Sequence, residues 1–161
     1  MQDNYLQKIS DRYQVSQIMK INEESKENGL VLSEGEATAL VEAKRDTLRE
    51  ERRVEFGDSI SPKLIRTFLD SSFINQEDYA QTLARLQEIF FLYKNESMDM
   101  VTDEELLTIM KNAYENESGG DLEYLEGTAL EDFARSVRAG ENWADRYKRE
   151  KLNLGDDFDE L

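Results

Sequence analysis

The strongest constraint on the fold is an apolar repeat of helical period, set between well-marked helix starts and stops. After Asn75, the residues Tyr79, Leu83, Leu86, Phe90 and Tyr93 follow one another by four and three positions, with Ile89 alongside. Such positions form one stripe on a helix of about 3.6 residues per turn, and would scatter over both faces of a strand. The same spacing links Val15, Ile18 and Met19 (with Asn22), then Ala37, Leu40, Val41 and Leu48, then Leu64, Ile65, Phe68 and Leu69. It returns in Leu130, Phe133, Ala134 and Val137. Leu106, Leu107, Ile109, Met110, Ala113 and Tyr114 make a broader face, which predicts a central place for their helix.

Punctuation agrees with period. Ser33 with Glu36, Thr102 with Glu105 and Thr128 with Glu131 read as capping boxes, in which two side chains satisfy two otherwise orphaned backbone N–H groups. Ser61-Pro62 reads as a cap followed by a first-turn proline, and Asn75 with Asp78 as a further start. Gly29, Gly119-Gly120 and Gly140 follow as stops. The first clear helix is expected over 15–28, behind a weakly patterned stretch, and a second over 34–53 that ends at Val54-Glu55-Phe56-Gly57. If Val54 and Phe56 face inward, they pin the following loop to the bundle; the loop could equally form the edge of a groove. With one proline in the chain and no strand ladder, the expected fold is all-α, a compact bundle of about five to six amphipathic helices. Residues 1–140 are read as one helical domain, and 141–161 as a C-terminal helix and an acidic tail, flexible at its end.

Composition then removes whole classes of chemistry. The chain has neither cysteine nor histidine, so disulfides, thiolate nucleophiles, imidazole bases and imidazole metal ligands are out of reach. Acidic residues outnumber basic ones 36 to 20, for a net charge of −16, which opposes direct binding to nucleic acid or to an anionic membrane. No run approaches the ~20 apolar residues of a membrane span, and the start lacks the order of a secretory leader. The expectation is a cytoplasmic protein.

The charge is unevenly placed. Residues 67–134 are net −13, whereas residues 44–66 are net +2. Within that basic stretch Arg45, Arg49, Arg52 and Arg53 can share one helix face. Internal pairing with neighbouring acids is the plainer account of them. Contact with a partner protein is the functional one, since arginine is common at the energetic centre of interfaces. An anion contact comes third. Trp143 and Tyr147, one turn apart, dock a last helix, anchor a partner or form a dimer contact.

Chemical motifs are missing. Clusters such as Glu23, Glu24 and Glu27 fit solvated faces, and no acid pattern matches a calcium loop, so no metal ligand set is expected. Glu117-Ser118-Gly119-Gly120-Asp121 lacks the Gly-Lys-Ser/Thr of a phosphate-binding loop. Tyr79, Phe90, Phe91 and Tyr93 sit among acids and read as core, not as a stacking platform for bases. No catalytic residue and no cofactor is assigned.

Gly35-Glu36-Ala37 with Leu40-Val41, Val54-Glu55-Phe56-Gly57, Tyr93-Lys94-Asn95-Glu96-Ser97 and Leu122-Glu123-Tyr124-Leu125 resemble a small bacterial family of unknown function, over about residues 15–140. The resemblance implies a stand-alone cytoplasmic protein of Gram-positive bacteria and supplies no site residues. The expected function is a non-enzymatic protein-interaction or regulatory module, with a basic partner suggested by the overall charge. Two alternatives stand beside it: an acidic mimic of nucleic acid that occupies a nucleic-acid-binding protein, and a helical bundle that binds or transforms a small molecule.

Overall fold

The computed structural model describes residues 2–140, with side chains from Tyr5 onward, and the described residues are helices and connecting turns. Helix α1 spans Gln2–Lys20, followed by a helical turn at Asn22–Ser25 and a 3-10 turn at Lys26–Asn28 that Gly29 closes at φ 78°. Helices α2 (Glu34–Glu50), α3 (Ile60–Phe68), α4 (Tyr79–Glu96) and α5 (Asp103–Asn116) come next. A helical turn at Leu122–Tyr124 and a π turn at Leu125–Ala129 lead without a break into α6 (Leu130–Arg138).

The capping boxes at Ser33/Glu36 and Thr102/Glu105 are both complete, and the Asn75 side chain accepts from Asp78 N–H. Two expected starts are corrected. Ser59, not Ser61, caps α3, and this frees the buried Ser61 hydroxyl to donate to Gln87. Thr128 caps nothing, because Asp121 has already started the helix by accepting from Tyr124 N–H. Thr128 sits instead in the π turn, where Leu130 N–H reaches the carbonyl five residues back at Leu125 and the Tyr93 hydroxyl donates to the Glu126 carbonyl. The extra residue in that turn lets both Leu125 and Leu130 reach the core, each fully buried.

The centre belongs to α4, which packs against α2, α3, α5 and α6, and not to α5 as the broad apolar face suggests. Thr82, Gln87 and Lys94 are buried along with its apolar stripe, so nearly the whole circumference of α4 is covered. Gln87 accepts from Ser61 and donates to the Leu40 carbonyl at 3.3 Å, which joins α2, α3 and α4 through one satisfied polar group. Pairings fix the directions. Asp11–Arg45 sets α1 antiparallel to α2, and Leu40–Gln87 with Glu51–Asn95 sets α2 parallel to α4. Arg138 donates to the Glu96 carbonyl, so α6 finishes beside the end of α4. One end of the bundle therefore gathers the start of α1 and the C-terminal ends of α2, α4 and α6. Every described side chain of α1 from Tyr5 to Ser10 is exposed there, so the helix overhangs the bundle.

A candidate binding groove between α1 and α2

Helix α2 stops at Glu50, three residues short of the expected end, and it stops without a glycine. Arg52 N–H bonds to the Arg49 carbonyl at 3.2 Å and Arg53 N–H to Leu48 at 2.8 Å, the paired bonds of a Schellman ending with Arg52 in the left-handed position at φ 57°. Helix α4 ends in the same manner, with Met98 at φ 58° and Asp99 at φ 56°. These are the non-glycine residues of positive φ among the described residues, and all of them lie at this one end. A non-glycine residue held there costs on the order of 1 kcal/mol and persists where surrounding contacts over-determine it. The contacts are present. Arg53 donates two hydrogen bonds to Asp99, at 2.7 and 3.1 Å, and one to Asn95 at 2.6 Å. Asn95 in turn donates to the Glu51 carbonyl at 3.0 Å and to its carboxylate at 2.8 Å. The Arg53 hydrogen bond holds the Asp99 carboxyl below the usual carboxylate range.

The loop after α2 is held from inside by a buried cation. Lys44 faces the core side of α2 with its side chain 3% exposed, and its ammonium donates to Gln14 at 2.5 Å, to Glu55 at 2.6 Å and to Ser59 at 2.7 Å. The second oxygen of Glu55 accepts from Ile60 N–H at 2.9 Å. With three acceptors on its three hydrogens, Lys44 has no lone pair for taking a proton from Ser59, so the close Ser–Lys pair is a structural tie and not an activated nucleophile. Because Glu55 turns inward, its neighbours in the alternating loop turn outward. Val54 is exposed and Phe56 is 86% exposed, so they do not pin the loop to the bundle, and Val54 lines the edge of a groove, the other of the two expectations.

Between α1, α2 and this loop runs an open groove of about 580 Å³. Val41, Leu48 and Val54 supply its apolar lining, Gln7, Ser10 and Gln14 its polar wall on α1, and Asp11, Lys44, Arg45, Arg49, Arg53 and Glu55 its charges. The structure thus brings together three of the four candidate arginines. Arg45 is paired with Asp11, Arg53 with Asp99, and Arg49 with Asp46 at 3.5 Å. Arg52 stands outside the lining, exposed, because α2 has ended before it. Trp143 and Tyr147 lie outside the described residues. Sequence reasoning missed Lys44, Glu55, Ser59 and Gln14. Their only signal was a lysine four residues past Leu40, on the inner stripe of α2.

This chain belongs to the DUF6323 family. The model of that family, one of unknown function, matches residues 17–143. Lys44, Glu55, Ser59, Arg53 and Asp99 lie within the span that DUF6323 covers, and the α1 overhang that forms the other wall of the groove lies before it. No curated protein and no solved structure matches the chain. Among the described residues no helix is long and apolar enough to cross a membrane, and no group of three or more acids could hold a metal ion.

Proposed function

We propose that the chain is a non-enzymatic protein-interaction module of the bacterial cytoplasm, with the groove between α1 and α2 and its apolar rim as the contact surface. The observation that carries the reading is the inverted loop. A buried Lys44–Glu55 pair holds Val54 and Phe56 out in solvent, although burying a phenylalanine is worth roughly 1.5–3 kcal/mol. Buried ion pairs are a poor route to stability, so a fold that uses one to present apolar side chains is spending stability on a surface. Tyr5, Leu6, Ile9 and Tyr13 are exposed on α1 outside the groove lining, and Tyr13 borders a separate depression with Ser59, Pro62 and Arg66. The absence of cysteine fits a reducing compartment.

The mimic of nucleic acid is less well supported. Asp70, Glu104 and Glu126, in the acidic half, are neutralised by Lys111, Lys63 and Arg85.

The test compares the wild-type chain with a Val54→Ser/Phe56→Ser variant in cross-linked capture from native lysate. Both residues are exposed, so the urea midpoints should coincide. A protein held by the wild type and lost by the variant is the expected result. Identical capture by the two removes the reading.

A further inference from the structure

Beside the Val54–Phe56 loop, the end of α4 carries an apolar patch of its own. Arg53 holds Asp99 by two hydrogen bonds, and the residues on either side of Asp99 stand in solvent, Met98 54% and Met100 65% exposed. They are the exposed methionines among the described residues, since Met19 is half-buried and Met110 is buried. The turn that carries them is firmly held. Ser97 and Val101 on its two sides are buried, and the Lys94 ammonium donates to the Val101 carbonyl at 2.8 Å. Met98 and Asp99 both stand at positive φ, so a fixed and costly backbone leaves two flexible apolar side chains in water.

Helix α6 brings the chain to this place. Its Arg138 donates to the Glu96 carbonyl at 3.3 Å, two residues before Met98, and Gly140 closes the helix at φ 78°. Trp143, the only tryptophan of the chain, follows three residues later. Three extended residues cover about 10 Å, roughly the diameter of one helix, so the indole is within reach of the Met98–Met100 turn. The residues that the DUF6323 model matches run past the end of α6 and stop at Trp143. Trp143 therefore falls inside the span of the family domain, and Tyr147 outside it.

We propose that Trp143 folds back onto the end of α4 and seats its indole against Met98 and Met100. This goes beyond the interaction reading above and needs no partner. Thioether sulfurs make favourable contacts with aromatic rings, and unbranched methionine side chains adapt to a flat one. The tether selects this occupant over others. A group on a short linker is present at an effective concentration near millimolar, which a second copy or a partner's side chain has to match in free solution. A small molecule has little room here. The cleft beside the turn, lined by Phe56, Phe90, Phe91 and Asp103, holds about 180 Å³, below the ~300–1,000 Å³ of a ligand pocket.

The test reads Trp143 in the full chain by acrylamide quenching of its fluorescence, with the urea-unfolded chain as the fully accessible reference. Wild type should be protected from the quencher, and Met98→Ser/Met100→Ser should lose most of that protection while its circular dichroism stays that of a folded helical protein. A reciprocal readout leaves the turn intact and decides alone should that variant unfold. Peroxide oxidation of Met98 and Met100, followed by mass spectrometry, should be severalfold faster in Trp143→Ala than in wild type, because oxidation follows exposure. Met110, buried in α5, should stay slow in both and reports that the fold is kept. A wild-type Trp143 quenched as freely as in urea overturns the proposal. So does protection that Met98→Ser/Met100→Ser keeps, or equal oxidation of Met98 and Met100 with and without the indole. Protection that fades on dilution, with a dimer in sedimentation, assigns the indole to a second copy and overturns it too. Capture through Val54 and Phe56 is read with other variants, so the two proposals fail separately.

Discussion

Removing Glu55 should destabilise the protein far more than removing the lysine it pairs with. In Glu55→Ala, Lys44 keeps Gln14 and Ser59 but loses its only carboxylate while its side chain remains 3% exposed. Breaking a buried pair from one side costs about 3–5 kcal/mol, because the surviving charge stays desolvated. In Lys44→Met the survivor is Glu55, whose side chain is 18% exposed and still accepts from Ile60 N–H. It can turn toward water, and the expected cost is about 1–2 kcal/mol. Taking a urea m-value of ~2 kcal/mol/M, the midpoint should fall by roughly 1.5–2.5 M for Glu55→Ala and by under ~1 M for Lys44→Met. The double variant should recover part of the loss, since it leaves no unpaired charge. Urea titrations followed by circular dichroism decide the matter, with exchange of the Ile60 amide as a local readout. Equal losses in the two single variants, or a double variant no more stable than Glu55→Ala, would refute the claim that a desolvated charge holds this loop.

The last helix offers a simpler contrast. Asp121→Ala should lower stability by about 1 kcal/mol as a lost N-cap, whereas Thr128→Ala, exposed in the π turn, should change it by under ~0.5 kcal/mol in the same titrations. Acid sensitivity has a named contributor. Asp99, held low by its hydrogen bond to Arg53, adds stability above its unfolded value near ~4, and that stability is lost as pH falls through its lower folded value. Asp99→Asn should flatten the acid limb of a midpoint–pH series, by at most about 1 kcal/mol because the carboxylate is half exposed. At the alkaline end the sign is opposite. Burial raises the Tyr93 phenol, as do the charges of Glu131, Glu126 and Glu96, and burial pushes Tyr114 up to about 12. Their stabilisation is complete below the unfolded value near ~10 and is lost above it. Tyr93→Phe should cost about 1 kcal/mol at pH 7 through the lost bond to Glu126 and leave a shallower alkaline limb, read as urea midpoints from pH 7 to 11.

How far local signals reach is clearest where identical ones had different outcomes. Ser33/Glu36, Thr102/Glu105 and Thr128/Glu131 share one pattern, yet only the first two start helices. A capping box satisfies N–H groups that have no other acceptor. At Thr128 the chain is already helical from Leu122, held so by Asp121 and by Leu125 in the core, and those groups are satisfied within the helix. Ser61 lost its expected role for a related reason: Gln87, from a helix 26 residues away, offered its hydroxyl a buried partner.

The site shows the same division. That arginines cluster around the end of α2 was legible in the sequence, but the end itself was misplaced. The helix stops at Glu50, ahead of Arg52, Arg53 and the Val54-Glu55-Phe56-Gly57 expected to end it. Which arginines face one groove was not legible, since that depended on the helix stopping at Glu50 and on Asp11 and Asp99 arriving from elsewhere.

Period and punctuation by themselves determined that this chain is a helical bundle, because helix faces and helix ends are set by residues within a few positions of one another. Only the tertiary structure decided that Lys44 lies inside and Phe56 outside. A buried charge is tolerable solely where its acceptors converge, and Gln14, Glu55 and Ser59 converge on Lys44 only once α1, α2 and α3 have packed.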